Sequence, residues 1–303
     1  MRGIITKGVK GIFTVYITDG EYRCKAIPCT SRGVFRKDSI RIKPLVGDNV
    51  EVELNLENRV DDETVGVITK IDERKNMLKR PNIANVDMLF VVAAADQPAP
   101  DLYFIDKLTA SAHYLEIEPV IVFTKTDLKN AEDLINIYDK AGIKCFTIDN
   151  TDASSETYDT LKSMMANNIC VFAGMSGVGK STLLNRLLPG LSQETGVLSE
   201  RIERGKHTTR ITELFSIGES GFIADTPGFS RLDFDGEEQF TKNNLVFGFP
   251  DILIYSTNCK FSKCTHIKEQ GCAVIENVTN GKIAESRHEN YKTLYSQLKY
   301  DYE

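Results

Sequence analysis

What this chain has little of narrows it first. No apolar stretch approaches the roughly 20 residues that span a bilayer, and the first residues carry no secretory apolar core. The expectation is a cytoplasmic protein without membrane contact. Excess charge of one sign is also missing: 37 Lys and Arg stand against 43 Asp and Glu, a formal net charge of −6. That balance speaks against a generally basic nucleic-acid binder. No internal repeat or low-complexity segment interrupts the 303 residues. What remains is length for more than one domain and, at 41% hydrophobic residues, enough apolar material for a sizeable core.

Against that background one motif dominates. Gly174-Met175-Ser176-Gly177-Val178-Gly179-Lys180-Ser181 follows the apolar run Ile169 to Ala173 and precedes Thr182-Leu183-Leu184. Strand, glycine loop and helix form the context of a phosphate-binding loop. Glycines let backbone N–H groups turn inward around phosphate oxygens, and the helix N-terminus adds partial positive charge. Lys180 would reach the β- and γ-phosphates, and the Ser181 hydroxyl would ligate Mg²⁺.

Two further segments select base and chemistry. Asp225-Thr226-Pro227-Gly228 closes the apolar Gly221 to Ala224, where a carboxylate holds Mg²⁺ through water; the Gly228 amide can then sense the γ-phosphate. Thr124-Lys125-Thr126-Asp127 closes the buried-strand pattern Val120 to Phe123. An Asp there accepts from guanine N1–H and the exocyclic amine, which adenine does not offer in that arrangement, so Asp127 argues for GTP. An Asn at the head of this loop is what GTPases usually carry; Thr124 stands instead and is expected to weaken base affinity more than base choice. The candidate nucleotide set is Thr124, Lys125, Asp127, Gly174, Ser176, Gly177, Val178, Gly179, Lys180, Ser181, Thr182, Asp225 and Gly228.

The guanine-reading loop precedes the P-loop, the reverse of the ordinary order. Such circular permutation is permissible because the site forms at the carboxyl ends of parallel strands, whatever joins them. It also sends the segment after Gly228 straight into the C-terminal region, so hydrolysis is expected to be felt beyond residue 240. Between P-loop and Asp225 lies Lys206-His207-Thr208-Thr209 in a polar, charged stretch. A switch loop there must supply a Thr to Mg²⁺. Thr208 and Thr209 both qualify and sequence does not choose; the candidate Mg²⁺ set is Ser181, Asp225 and Thr209. Phe229 follows Gly228, where many GTPases carry a water-orienting Gln. A phenyl ring cannot do this, so intrinsic hydrolysis should be slow, with the missing group coming from His207 or a partner. The catalytic candidates are His207, Lys180, Thr208 and Thr209.

Residues 1–72 read as short alternating strands with glycine turns, fitting a small β-barrel of the OB-fold type. Arg23, Lys25, Arg32, Arg36, Lys37, Arg41 and Lys43 stand against Asp38 alone. This strip is either a solvated hairpin face or a phosphate-contacting surface, with Arg32, Arg36, Lys37, Arg41 and Lys43 as RNA-binding candidates. Residues 73–240 alternate strand and helix, with helices expected over Leu102–Tyr114 and Leu128–Ala141, and read as an α/β domain with a mainly parallel sheet. Residues 241–303 hold Cys259-x4-Cys264-x-His266-x5-Cys272, a soft ligand set suited to one structural, tetrahedral Zn²⁺. The alternative is separate buried cysteines and a surface histidine. Cys24, Cys29, Cys145 and Cys170 read as core residues. Ile283, Arg287, Tyr291, Leu294, Tyr295 and Leu298 recur at helical spacing, giving a final amphipathic helix against the zinc loop.

Taken with Arg80-Pro81-x-Ile83-Ala84-Asn85-Val86-Asp87 and Gly205-Lys206-His207-Thr208-Thr209-Arg210, these motifs in this order resemble the ribosome small-subunit-dependent GTPase A family (RsgA, also YjeQ) over essentially the whole chain. The resemblance implies an OB-fold, a circularly permuted P-loop GTPase domain and a mainly helical zinc-binding domain. It implies GTP hydrolysis stimulated by the small ribosomal subunit during late assembly and contact with its rRNA; a monomer is expected. Thr124, and Ile148-Asp149-Asn150 where a Ser-Ala pair usually backs the guanine, depart from the pattern. Two rivals remain: a GTP-binding RNA scaffold that hardly hydrolyses, and a P-loop ATPase or small-molecule kinase. Asp127 and the Asp225–Gly228 segment argue against the second.

Overall fold

The computed structural model describes residues 1–33, 35–37, 40–54, 66–79, 81–149, 156–188, 212–225 and 240–300. Its strands and helices, in chain order, begin with nine strands: β1 Arg2–Val9, β2 Ile12–Ile17, β3 Ala26–Ser31, β4 Phe35–Lys37, β5 Ile40–Ile42, β6 Asn49–Leu54, β7 Gly66–Ile71, β8 Met77–Leu78 and β9 Ile83–Ala84. An alternating region follows: β10 Met88–Ala94, α1 Leu102–Tyr114, β11 Glu118–Thr124, α2 Glu132–Asp139, β12 Lys144–Ile148, α3 Glu156–Met165, β13 Ile169–Ala173, α4 Lys180–Leu187, β14 Glu213–Ile217 and β15 Gly221–Asp225. A 3-10 helix Leu245–Gly248 leads into α5 Pro250–Ser256, α6 Ala273–Thr279 and α7 Glu285–Gln297. Among the described residues no helix is long and apolar enough to cross a membrane.

Contacts divide the described residues into two compact units, one drawn from Met1–Met88, Leu161–Val171 and Gly190–Gly228, the other from Leu89–Thr160, Phe172–Pro189 and Phe229–Glu303. In the first, five strands run in the order β1-β2-β3-β7-β6, and β6 returns to β1 through Arg2↔Glu51, Gly3↔Val50 and Ile4↔Asn49. The sheet is thereby closed into a barrel. All neighbours are antiparallel except β3 and β7, the mixed pairing of an OB-fold barrel. Ile5, Val15, Ile17, Cys29, Val50, Val52 and Ile68 fill its interior at 2% exposure or less. The alternation in β2, β6 and β7 is plain in the sequence; β1 and β3 are not, because Gly3, Gly8 and Pro28 interrupt theirs. The same unit contains the antiparallel hairpin β14–β15, whose β15 pairs in parallel with β13 and whose β14 pairs with β1.

In the second unit β11 and β12 are parallel, with Thr124↔Ile148 at their carboxyl ends. Every residue of β10 is buried, as is every residue of β11 after Glu118, which is why both read as continuous apolar runs rather than alternating ones. Helix α1 spans the expected residues and is capped by the Asp101 carboxylate, which accepts from Phe104 N–H. Helix α2 is shorter than expected, because Asn130 turns back to accept from Glu132 N–H and delays the helix start. The C-terminal helices share an apolar cluster of Phe240, Leu245, Phe249, Ile252, Val274, Ile283, Tyr291 and Leu294, which also includes Ala110 of α1.

Of the four cysteines expected in the core, one is not there. Cys29 and Cys170 are buried and Cys145 is partly so, but Cys24 is exposed. It sits in the turn after β2 at φ +65°, and a turn offers no interior to enter.

Candidate functional site

Strand β13 is buried throughout and delivers the chain to Gly174, where a Cβ would stand 2.2 Å from the Val92 carbonyl oxygen. Only glycine permits that approach, so the loop leaves the sheet at this point. Gly179, at φ +92°, caps α4, and the helix opens on Lys180 and Ser181. Between them Met175, Ser176 and Gly177 are exposed, leaving the loop open to a ligand. Lys180 Nζ donates to the Gly174 and Met175 carbonyls at 2.6 and 2.8 Å. Burial lowers its pKa to about 8. Thr182 is exposed on the outer face of α4.

The structure brings the second predicted loop to the first. Thr124 is 1% exposed, and its hydroxyl donates to the P-loop carbonyl of Val178 at 2.5 Å. Its own carbonyl accepts from Ala95 N–H at 2.8 Å. Lys125, at φ +57°, reaches back to the carbonyl of Gln97. Asp127 stands exposed beyond them, at the carboxyl edge where Ile148 pairs with Thr124. Thr124 thus serves the P-loop, a use that its departure from Asn does not advertise in the sequence.

Asp225 ends β15 in the first unit, opposite Glu213 in the hairpin register. Its side chain lies outside the described residues, as do Gly228, His207, Thr208 and Thr209. Of the basic strip, Arg23 pairs with Glu219 at 2.9 Å and Arg32 with Glu53 at 3.7 Å, while Lys25 lies over the Tyr22 ring. Arg36, Lys37 and Arg41 belong to the hairpin β4–β5, with side chains outside the described residues; Lys43 lends its carbonyl to Arg74 at 2.6 Å.

The C-terminal ligand set converges. The Sγ atoms of Cys259, Cys264 and Cys272 and a ring nitrogen of His266 all lie within 4.8 Å of one another, a group that could hold a metal ion. Cys259 Sγ is 3.8 Å from Cys272 Sγ, and both face His266 Nδ1, at 3.5 and 3.6 Å. Two supports fix the loop. His288 Nε2, on α7, donates to the His266 carbonyl at 2.7 Å. Glu269 accepts from the N–H groups of Thr265, Ile267 and Lys268 and from the Thr265 hydroxyl. Burial opposes its ionisation, but these donors outweigh it and lower its pKa to about 2.

One polar centre goes unsignalled in the sequence. Arg287, which helical spacing puts on an apolar face, is fully buried. It binds Asp251 bidentately, both contacts at 2.9 Å, and Asp106 of α1 at 2.7 Å. Asn290 adds a 2.6 Å bond to Asp106. An Arg at helical spacing among aromatics carries no visible sign that two distant aspartates will meet it.

Comparison with known proteins agrees with this geometry. A family model described as RsgA GTPase matches residues 71–235, and one described as RsgA N-terminal domain matches residues 2–68. Proteins named "Small ribosomal subunit biogenesis GTPase RsgA" align over nearly their whole length. The one from Agathobacter rectalis is 38% identical over 99% of this chain and 98% of its own, and one from Bacillus cereus is 40% identical over 98% and 97%. Among solved structures, YjeQ from Thermotoga maritima superposes with a TM-score of 0.77 at 32% identity, covering 98% of each chain. YloQ, described as a circularly permuted GTPase, reaches 0.75 at 32% identity over 98% of this chain and 94% of its own. By full-length kinship and by the fold that carries its two loops, this chain belongs to the RsgA GTPase family and is a GTP-hydrolysing enzyme.

Proposed function

We propose that this GTPase works on the small ribosomal subunit during its maturation in the cytoplasm, as a monomer that contacts rRNA and hydrolyses GTP to GDP and phosphate when the subunit stimulates it. The observation that carries the nucleotide reading is the 2.5 Å bond from Thr124 to Val178. Through it the guanine-reading loop and the P-loop form one cradle despite their permuted order. The subunit is proposed from the names of the full-length relatives.

In this reading Asp127 accepts from the guanine edge, with Thr124 and Lys125 holding its loop. The amides of Gly174, Ser176, Gly177, Val178 and Gly179 surround the phosphates, with Thr182 in the first turn behind them. Lys180 turns from the Gly174 and Met175 carbonyls to the β- and γ-phosphates, where charge grows as the phosphoryl group transfers. Ser181, Asp225 and Thr209 would hold Mg²⁺, which when bound neutralises that charge. Gly228 senses the γ-phosphate, and His207, beside Thr208, orients water. In domain terms, residues 1–72 bear the RNA-facing barrel with Arg32, Arg36, Lys37, Arg41 and Lys43, residues 73–240 the GTPase, and residues 241–303 the metal module.

The metal of that module is zinc. Thiolates at about 2.3 Å and an imidazole at about 2.0 Å around a tetrahedral ion stand roughly 3.5–3.8 Å apart, which is the spacing of Cys259, Cys272 and His266. Four protein ligands leave no open position, so its role is structural.

Phosphate release from GTP, measured with and without purified small subunits and with ATP as control, tests the assignment. Strong stimulation confined to GTP is the expected result. Subunit binding without stimulation would replace it with a scaffold role.

A further inference from the structure

The hairpin β14–β15 ends on Asp225, and two antiparallel strands alone are marginally stable in water. What steadies it on one side is β13, paired at Ile169↔Phe222 and Cys170↔Ile223, short of the Asp225 end. On the other side stands the barrel. Strand β1 changes register between Ile5 and Lys7, a bulge that re-aims the strand. Lys7 then pairs with Glu213, and Glu213 pairs with Asp225. Lys7, Glu213 and Asp225 therefore occupy one rung across three strands, placing the barrel strand about 10 Å, two strand spacings, from Asp225.

The barrel grips both ends of the hairpin. At the Asp225 end, Lys7 Nζ meets the Glu213 carboxylate at 2.9 Å. At the turn, Tyr16 OH donates to the Glu219 carbonyl at 3.2 Å, and Arg23 binds the Glu219 carboxylate at 2.9 Å. The Tyr16 ring meets Phe222 edge-on, at 5.2 Å and 85°, and Phe222 is fully buried. The Arg23–Glu219 pair is solvent-exposed and the Lys7–Glu213 pair partly so, and each is individually weak. Tyr16, joining a buried aromatic contact to a backbone bond, is the stronger hold.

We propose that the N-terminal barrel positions the Mg²⁺-binding strand end of this GTPase, with Tyr16 and Lys7 as positioning residues for Asp225. The idea rests on the reading of Asp225 as an Mg²⁺ ligand.

The test uses the full chain: single-turnover GTP hydrolysis across an Mg²⁺ titration, together with GDP affinity, for Tyr16→Ala, Tyr16→Phe, Lys7→Glu and the exchange Lys7→Glu/Glu213→Lys. Tyr16→Ala should lower the hydrolysis rate about tenfold or more, since small misplacements of a positioned group are that costly. It should raise the Mg²⁺ midpoint while GDP affinity stays within about twofold. Tyr16→Phe, which keeps the ring, should retain most activity, and the exchange should restore what Lys7→Glu loses. If Tyr16→Ala fails to fold by circular dichroism, the Lys7/Glu213 pair decides. Unchanged rates and Mg²⁺ midpoints in Tyr16→Ala and Lys7→Glu would overturn the proposal, as would equal losses of GDP affinity and rate. A wild-type chain that hydrolyses no GTP would overturn the proposed function instead.

Discussion

Replacing Arg287 with Met should destabilise the second unit by about 4 kcal/mol. Asp106, Asp251 and Arg287 are each at most 1% exposed at their side chains, so removing the guanidinium leaves two carboxylates in a site built for a cation between them. Burial already pushes the Asp106 carboxyl above its ordinary range, and the Arg287 charge is what opposes that rise; without the guanidinium the desolvation of the carboxylate goes uncompensated. Breaking a buried pair by deleting one partner costs about 3–5 kcal/mol in general. Arg287 joins α1 to α5 and α7, so the metal module should loosen with its loss. With no Trp in the chain, the assay is guanidinium unfolding followed by far-UV circular dichroism, alongside metal release to a chromophoric chelator. Converting the whole triad, Arg287→Met with Asp106→Leu and Asp251→Leu, should recover most of the loss, because apolar replacements of similar volume avoid the desolvation cost. A loss below about 1 kcal/mol for Arg287→Met, or no recovery in the triple variant, would refute the reasoning.

Other outcomes follow from single groups. Lys180, held near pKa 8 by burial, is charged below that pH; bound phosphate should draw its proton back, so GDP affinity should fall by up to about tenfold per unit above pH 8, with proton uptake visible by calorimetry in buffers of different ionisation enthalpy. Absence of uptake at pH 8.5 would contradict this. His113 has Nε2 buried without a hydrogen-bond partner among the described residues, and burial, with Arg287 nearby, lowers its pKa to about 4. The unfolded chain, with a histidine pKa near 6.5, takes up the proton first. Stability is therefore complete above pH 6.5 and declines to about pH 4, by at most about 3 kcal/mol; His113→Gln should flatten that limb in pH-dependent unfolding. Cys264→Ser should lose the metal, measured by elemental analysis, and lower the unfolding midpoint of the C-terminal helices while leaving GDP affinity within about twofold.

Much of the site is legible in the amino-acid sequence, for a local reason. A P-loop works through consecutive backbone amides, so its chemistry is written in consecutive residues, and Gly174 to Ser181 can be read directly. The four candidate metal ligands lie within fourteen positions, Cys259 to Cys272, close enough that spacing alone suggests one ion. Helix α1 is legible as well, since it spans the residues over which the sequence predicts it, Leu102–Tyr114. By contrast, β1 and β3 are hidden because glycine and proline disturb the alternation that marks a strand. Arg287 is hidden too, because an amphipathic pattern cannot show which distant residue faces a buried position.

Local chain order is enough to suggest the chemistry: a phosphate-binding loop, a candidate base-reading Asp127, a soft set of side chains that could hold a metal and the succession in which they occur. Each depends on neighbours a few positions apart, where backbone geometry leaves little choice. How these parts are held emerges only once the chain is folded. Thr124 reaches Val178 across 54 positions, Arg287 reaches Asp106 across 181, and Lys7 meets Glu213 across 206. Such contacts arise from strand register and helix packing, which many residues settle together and no single segment encodes.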